Sequence, residues 1–148
     1  MDDTALRNAR GDINRLPCVF EKALLPRHAV CSLAQGQVIG ERDSVACTVP
    51  VARAECGRLA GLLREKSAFA LRLPTTQRIL PHAQLMRIQC GGLDGLRRLL
   101  DAQAPAIDVH RLVCQARERY GDIDSLPFSE IIPGVAAWQG RRRARATP

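Results

Sequence analysis

The chain has 148 residues, enough for one domain with a core of its own, and its 46% apolar residues exclude a disordered polymer. Aromatic residues are only 3%, so Leu, Val, Ile and Ala must fill the core, which favours packed helices over a sandwich of aromatic-rich strands. The net charge is +7, but four arginines stand in the closing RRRARATP, and without them the body carries only +3. A basic end on a nearly balanced body is not the electrostatic footprint of a broad nucleic-acid-binding face.

These features predict a mainly α protein. A single compact helical domain over 15–139 follows a loose N-terminal arm at 1–14 and precedes a basic tail at 140–148. No run of 18 consecutive apolar residues occurs, so no membrane span is expected. The opening MDDTALRNARGD lacks the basic and then apolar pattern of a secretory leader. A cytoplasmic location follows as the expectation, and there thiols are kept reduced.

Along the chain, Val19 and Ala23 recur at helical spacing, with Phe20 and Leu24 near them, until Pro26 ends the run. Gly36 and Gly40 frame a polar turn region. In TVPVARAECGRLAGLLREKSAFALRLP, Thr48 is a candidate cap and Pro50 suits a first helical turn. Val51, Ala54, Leu59, Leu62 and Leu63 then make an apolar stripe that includes Cys56. The end of this segment alternates, with Phe69, Leu71 and Leu73 on one side, which predicts a short strand at 68–73. A second strand is expected at 86–90, in LMRIQC, closed by Gly91 and Gly92, so the two would form one small hairpin.

Leu93, Leu96, Leu99 and Leu100 return to helical spacing, with Gly95 as a weak point. The clearest helix runs from Asp108 to Tyr120, where Val109, Leu112, Val113, Ala116 and Tyr120 share one face and Gly121 stops it. A last helical face, Phe128, Ile131, Val135 and Trp138, passes a kink at Pro133.

Six cysteines in a reducing compartment serve packing, metal ligation or redox chemistry. Four of them, Cys18, Cys31, Cys47 and Cys56, fall within 39 residues at C-x12-C-x15-C-x8-C, and Cys90 follows in QCGG. Paired knuckles of the C-x-x-C kind are absent, and so are the short ferredoxin spacings. Ligands so scattered must be gathered by the fold. Cys18, after Pro17 at a helix start, and Cys90, before two glycines, are the first places to look for reactivity or ligation, because helix amides lower a thiol pKa. Glu21, at i+3 from Cys18, could tune that thiol or cap the helix. Cys56 and Cys114 fit the packing reading, being on or beside apolar stripes.

Other chemistry is thinner. GGLDG matches no phosphate-binding fingerprint and reads as a tight turn. His28, His82 and His110 are isolated, and a dyad of Cys90 with His82 or His28 rests on residue type alone. The expectation is therefore a metal-centre protein, not an enzyme. Its cofactor would be an iron–sulfur cluster, or zinc as the alternative, held by some of Cys18, Cys31, Cys47, Cys56 and Cys90, in electron transfer or as an accessory or regulatory subunit. The rival reading is a helical adaptor whose basic end docks a protein with an acidic surface, or nucleic acid, while its cysteines only pack; a thiol-dependent enzyme comes third.

Overall fold

A computed structural model describes residues 16–73 and 79–140 of the chain. The expectations placed on the arm at 1–14 and on Arg141, Arg142, Arg143 and Arg145 lie outside these residues. The described chain is mainly helical, as the composition predicts, with one small antiparallel hairpin. A short turn of helix, α1 (Glu21–Leu24), leads to strands β1 (Ala34–Ile39) and β2 (Arg42–Cys47). Helices α2 (Pro50–Ala70), α3 (His82–Leu100), α4 (Val109–Tyr120) and α5 (Phe128–Ala137) follow, with a 3₁₀ turn at Ile123–Ser125 before the last.

The hairpin is not where the alternation pointed. Residues 68–70 end α2 and residues 86–90 lie inside α3. Five residues of period two do not outweigh a helix already running through good helix formers, and Phe69 is left 94% exposed. The helix closes in a Schellman pattern, in which Leu73 N–H donates to the Ala68 carbonyl and Arg72 N–H to that of Phe69. Arg72 takes the left-handed conformation, φ 55°, that usually falls to glycine there. The observed hairpin pairs Ala34 with Cys47 through to Ile39 with Arg42. Its two-residue turn starts at Gly40, φ 65°, where only a residue without Cβ is unstrained.

The core is aliphatic. Leu59 and Leu63 of α2, Leu93 and Leu96 of α3, Val109, Leu112, Val113 and Ala116 of α4, and Ile131 and Val135 of α5 are buried together with Phe20. The α4 stripe and its stop at Gly121 are as read from sequence. The α2 stripe is rotated: Val51 is 73% exposed, and the inner face runs through Cys56, Leu59, Leu63 and Ser67. Pro50 stands in the first turn as expected, but Thr48 does not cap; its hydroxyl donates to the Leu33 carbonyl at 2.7 Å.

The glycines of QCGGLDG do not make a turn. They lie in the middle of α3, where Gly91 and Gly95 face α5 and Gly92 faces the Leu63 side chain of α2. A Cβ built on Gly91 would sit 2.6 Å from the Val135 Cα, one on Gly134 would sit 2.6 Å from the Gly91 carbonyl oxygen, and one on Gly95 would overlap the Ile131 carbonyl. These glycines let two helix backbones touch, and the contact joins the C-terminal helix to the core.

Candidate functional site

Four of the predicted cysteines meet. Cys18, Cys31, Cys47 and Cys56 line one cavity of about 20 Å³, walled otherwise by Val19, Ala34, Val109 and Arg53. All six cysteines are free thiols, and these four are half-buried. Each comes from a different element, and backbone hydrogen bonds hold those elements in place.

Cys18 is fixed against β2, since its N–H donates to the Val45 carbonyl at 2.9 Å and the Cys47 N–H donates to the Leu16 carbonyl at 2.7 Å. Cys31 lies on a segment stitched to the start of α4. Val30 N–H donates to the Ile107 carbonyl and Val109 N–H donates to the Val30 carbonyl, both at 2.8 Å. Cys47 ends β2, and its Sγ lies 3.3 Å from the Val49 carbonyl. Cys56 stands in the second turn of α2, and that end of the helix is tied down by Arg53, whose Nε donates to the Pro17 carbonyl at 2.8 Å. Glu21 adds a further brace between α1 and β2. Its carboxylate accepts from the Val45 N–H at 2.9 Å and the Ser44 hydroxyl at 3.2 Å, and so holds the hairpin.

The thiols feel one another. Burial pushes Cys18 up to about 11, against a hydrogen bond from the Phe20 amide that favours the thiolate, with Cys31, Cys47 and Glu21 adding to the rise. Burial pushes Cys56 up to about 12, and Cys31, Cys18 and Cys47 again contribute. The sequence reading of Cys18 as a thiol activated by helix amides is thus reversed: α1 is four residues long, and the cost of burying a thiolate wins over one amide donor. As it stands, among the described residues, no group of three or more His, Cys, Asp or Glu side chains is arranged to hold a metal ion.

Cys90 is not part of this group. It is fully buried in α3, and burial, with Asp94 adding to it, pushes its thiol up to about 12. It lines a separate cleft of about 540 Å³ with Pro26, Arg27, His28, Met86 and Trp138. The helix-start reasoning applied to Cys90 fails because the glycines after it continue the helix. Cys114 is not a packing residue either. It is exposed on α4, where its Sγ lies 3.5 Å from Nε2 of His110.

The cleft holds a pair that sequence reasoning missed. His28 Nε2 lies 2.8 Å from Asp94 Oδ1, and Trp138 meets the imidazole edge-on at 6.2 Å between ring centres. The residues are 66 positions apart, and no local pattern announces them. The Asp94 hydrogen bond raises the His28 pKa above its usual 6.5 against the opposing effect of burial, and the Cys90 backbone carbonyl adds to the rise. The carboxylate and the carbonyl both favour the protonated ring over the neutral one. A raised folded pKa gives stability that is complete below the unfolded pKa of about 6.5 and is lost as pH climbs through the folded value. The denaturation midpoint should therefore fall between pH 6 and pH 9. His28→Ala should lower it at pH 6 by the equivalent of about 1 kcal/mol, after screening of this half-buried pair, and flatten the profile. An unchanged wild-type slope in the variant would remove His28 as its cause.

No family model, no curated protein sequence and no solved structure matches the chain. Among the described residues, no helix is long and apolar enough to cross a membrane.

Proposed function

We propose that this protein binds a metal centre, an iron–sulfur cluster, through Cys18, Cys31, Cys47 and Cys56, and that it serves electron transfer or acts as an accessory or regulatory subunit rather than as an enzyme. The observation that carries the reading is the convergence of four thiols, from four separate segments, on one apolar-walled cavity. An all-sulfur donor set suits iron–sulfur clusters and zinc and is a poor match for magnesium or calcium. Ligands drawn from separate segments, without paired knuckles, fit a cluster better than a zinc ribbon. An apolar wall also keeps water from the sulfurs, which is one of the ways a protein sets a cluster's potential. The four thiols lie just under the surface, within reach of a docked redox partner.

Zinc is the second reading, because around a cavity of about 20 Å³ a single ion asks less displacement of the four segments than a cluster does. Purification without oxygen, followed by assay of iron, labile sulfide and zinc, decides between them. Iron with sulfide in stoichiometric amount supports the cluster, and zinc alone supports the second reading. A folded, metal-free protein that reconstitution does not alter defeats both.

The raised thiols add a quantitative expectation. Cys18, at about 11, and Cys56, at about 12, hold their protons at neutral pH. Ligation displaces at least these two, so affinity should climb by about a hundredfold per pH unit through neutrality. Competition with a chelator of known pH dependence measures the slope, and a flat profile would exclude these two thiols as ligands.

A further inference from the structure

The cleft beside His28 offers no free base, since the imidazole is engaged by both Asp94 and the Cys90 carbonyl. The apolar groove between Phe69 and Phe128 has nothing to indicate an occupant. The remaining cysteine, outside both the four-thiol cavity and the His28 cleft, is Cys114, and it is not alone.

We propose that His110 and Cys114 form a second, solvent-open site for a soft metal ion of the zinc and cadmium class. The two residues stand at i and i+4 on α4, the spacing that stacks side chains on one helix face. Their ligand atoms are close to the separation that a shared ion demands. With zinc–sulfur and zinc–nitrogen bonds of about 2.3 and 2.05 Å and a tetrahedral angle between them, sulfur and nitrogen lie about 3.6 Å apart. The Cys114 Sγ to His110 Nε2 distance is 3.5 Å. Nδ1 of the same ring lies 4.0 Å from the sulfur, so Sγ sits beside the imidazole, and the ring turns about its Cβ–Cγ bond to aim the Nε2 lone pair at a shared ion. The thiol gives up its proton to solvent, the imidazole nitrogen offers its lone pair, and the remaining coordination positions face water.

The surrounding charge permits this. Two neighbouring arginines of α4 are drawn toward carboxylates on other elements, Arg111 toward Asp101 at 3.9 Å and Arg117 toward Glu55 at 3.6 Å, and Arg119 donates to the Leu99 carbonyl. Glu118 stands one turn beyond Cys114 on the same face, where its charge favours a cation. A site with two protein ligands and open positions exchanges its ion readily, so it suits loading and handing on rather than permanent storage. It does not depend on the four-thiol centre, because no ligand is shared.

Cadmium is the probe, followed by its thiolate charge-transfer absorption and by calorimetry on the full chain, for the native protein, His110→Ala and Cys114→Ser. Both side chains lie outside the buried core, so circular dichroism should be identical for all three. The native protein should take up one cadmium that both variants lose or bind at least about tenfold more weakly, the chelate having been broken. Equal uptake and affinity in all three overturns the proposal. So does a loss confined to Cys114→Ser, which would reduce the site to a lone thiol. Failure of the four-thiol reading would show separately, as the absence of any uptake sensitive to Cys18→Ser or Cys56→Ser.

Discussion

Gly95→Ala is expected to destabilise the domain by about 3 kcal/mol or more, a large share of the roughly 5–15 kcal/mol a domain of this kind possesses. The added methyl group would overlap the carbonyl oxygen of Ile131, and the obstacle is helix backbone, not a side chain that can swing aside. Relief requires α3 and α5 to separate. That would loosen Ile131 and Val135, both fully buried, and disturb Arg87, which donates to the Val135 carbonyl at 3.0 Å and to the Ala136 carbonyl at 2.6 Å. The control is Gly61→Ala on α2, where a new Cβ would meet nothing within 4 Å. There the only consequence is a better helix former, so stability should rise by roughly 0.5–1 kcal/mol. Denaturant midpoints measure both. If Gly95→Ala has the native midpoint, the helices do not approach each other as described.

The second large effect concerns the thiols. Replacing Cys18, Cys31, Cys47 or Cys56 singly by Ser should reduce bound metal to background after anaerobic reconstitution, since serine keeps the shape and removes the soft donor. Cys90→Ala should retain full metal content and lose stability only, on the order of 1–2 kcal/mol, as the cavity left in α3 dictates. Metal analysis, read beside circular dichroism, separates loss of a ligand from loss of fold. Retention of metal in all four serine variants would refute the assignment, and loss in Cys90→Ala alone would move the centre to the other cleft.

Helices with a strong stripe and an unambiguous stop were legible in the sequence. Asp108 to Tyr120 is the best case, because its apolar face and Gly121 point the same way, and Asp108 does cap by accepting from the Arg111 N–H. Glycines were harder. A pair such as Gly91-Gly92 serves a turn or a close helix contact equally well, and only the packing of α5 against Gly91 and of Leu63 against Gly92 decides. The true hairpin escaped notice because Gln35, Gly36, Gln37, Arg42 and Asp43 are poor strand formers, and β1 and β2 owe their pairing to the turn at Gly40 and to the segment around Pro17 on the far side of β2. Of the five cysteines named from the sequence, Cys18, Cys31, Cys47 and Cys56 line one cavity and Cys90 lines another. Spacing says nothing of convergence once the ligands sit on separate elements. His110 and Cys114 could have been found, since i and i+4 on a well-read helix must face each other.

The stitch between Val30 and the start of α4 bears on how the polypeptide comes into being. All four of the clustered thiols leave the ribosome before the residues that seat Cys31, since Ile107 and Val109 emerge about fifty residues after Cys56, roughly three to ten seconds later at ordinary rates of synthesis. During that interval Cys31 lacks the segment that seats it, although the partners that brace Cys18, Cys47 and Cys56 have already been made. Closing so long a loop costs little more than closing a shorter one, but it cannot begin before its far end exists. The N-terminal half is therefore the first to be made and among the last to be finished.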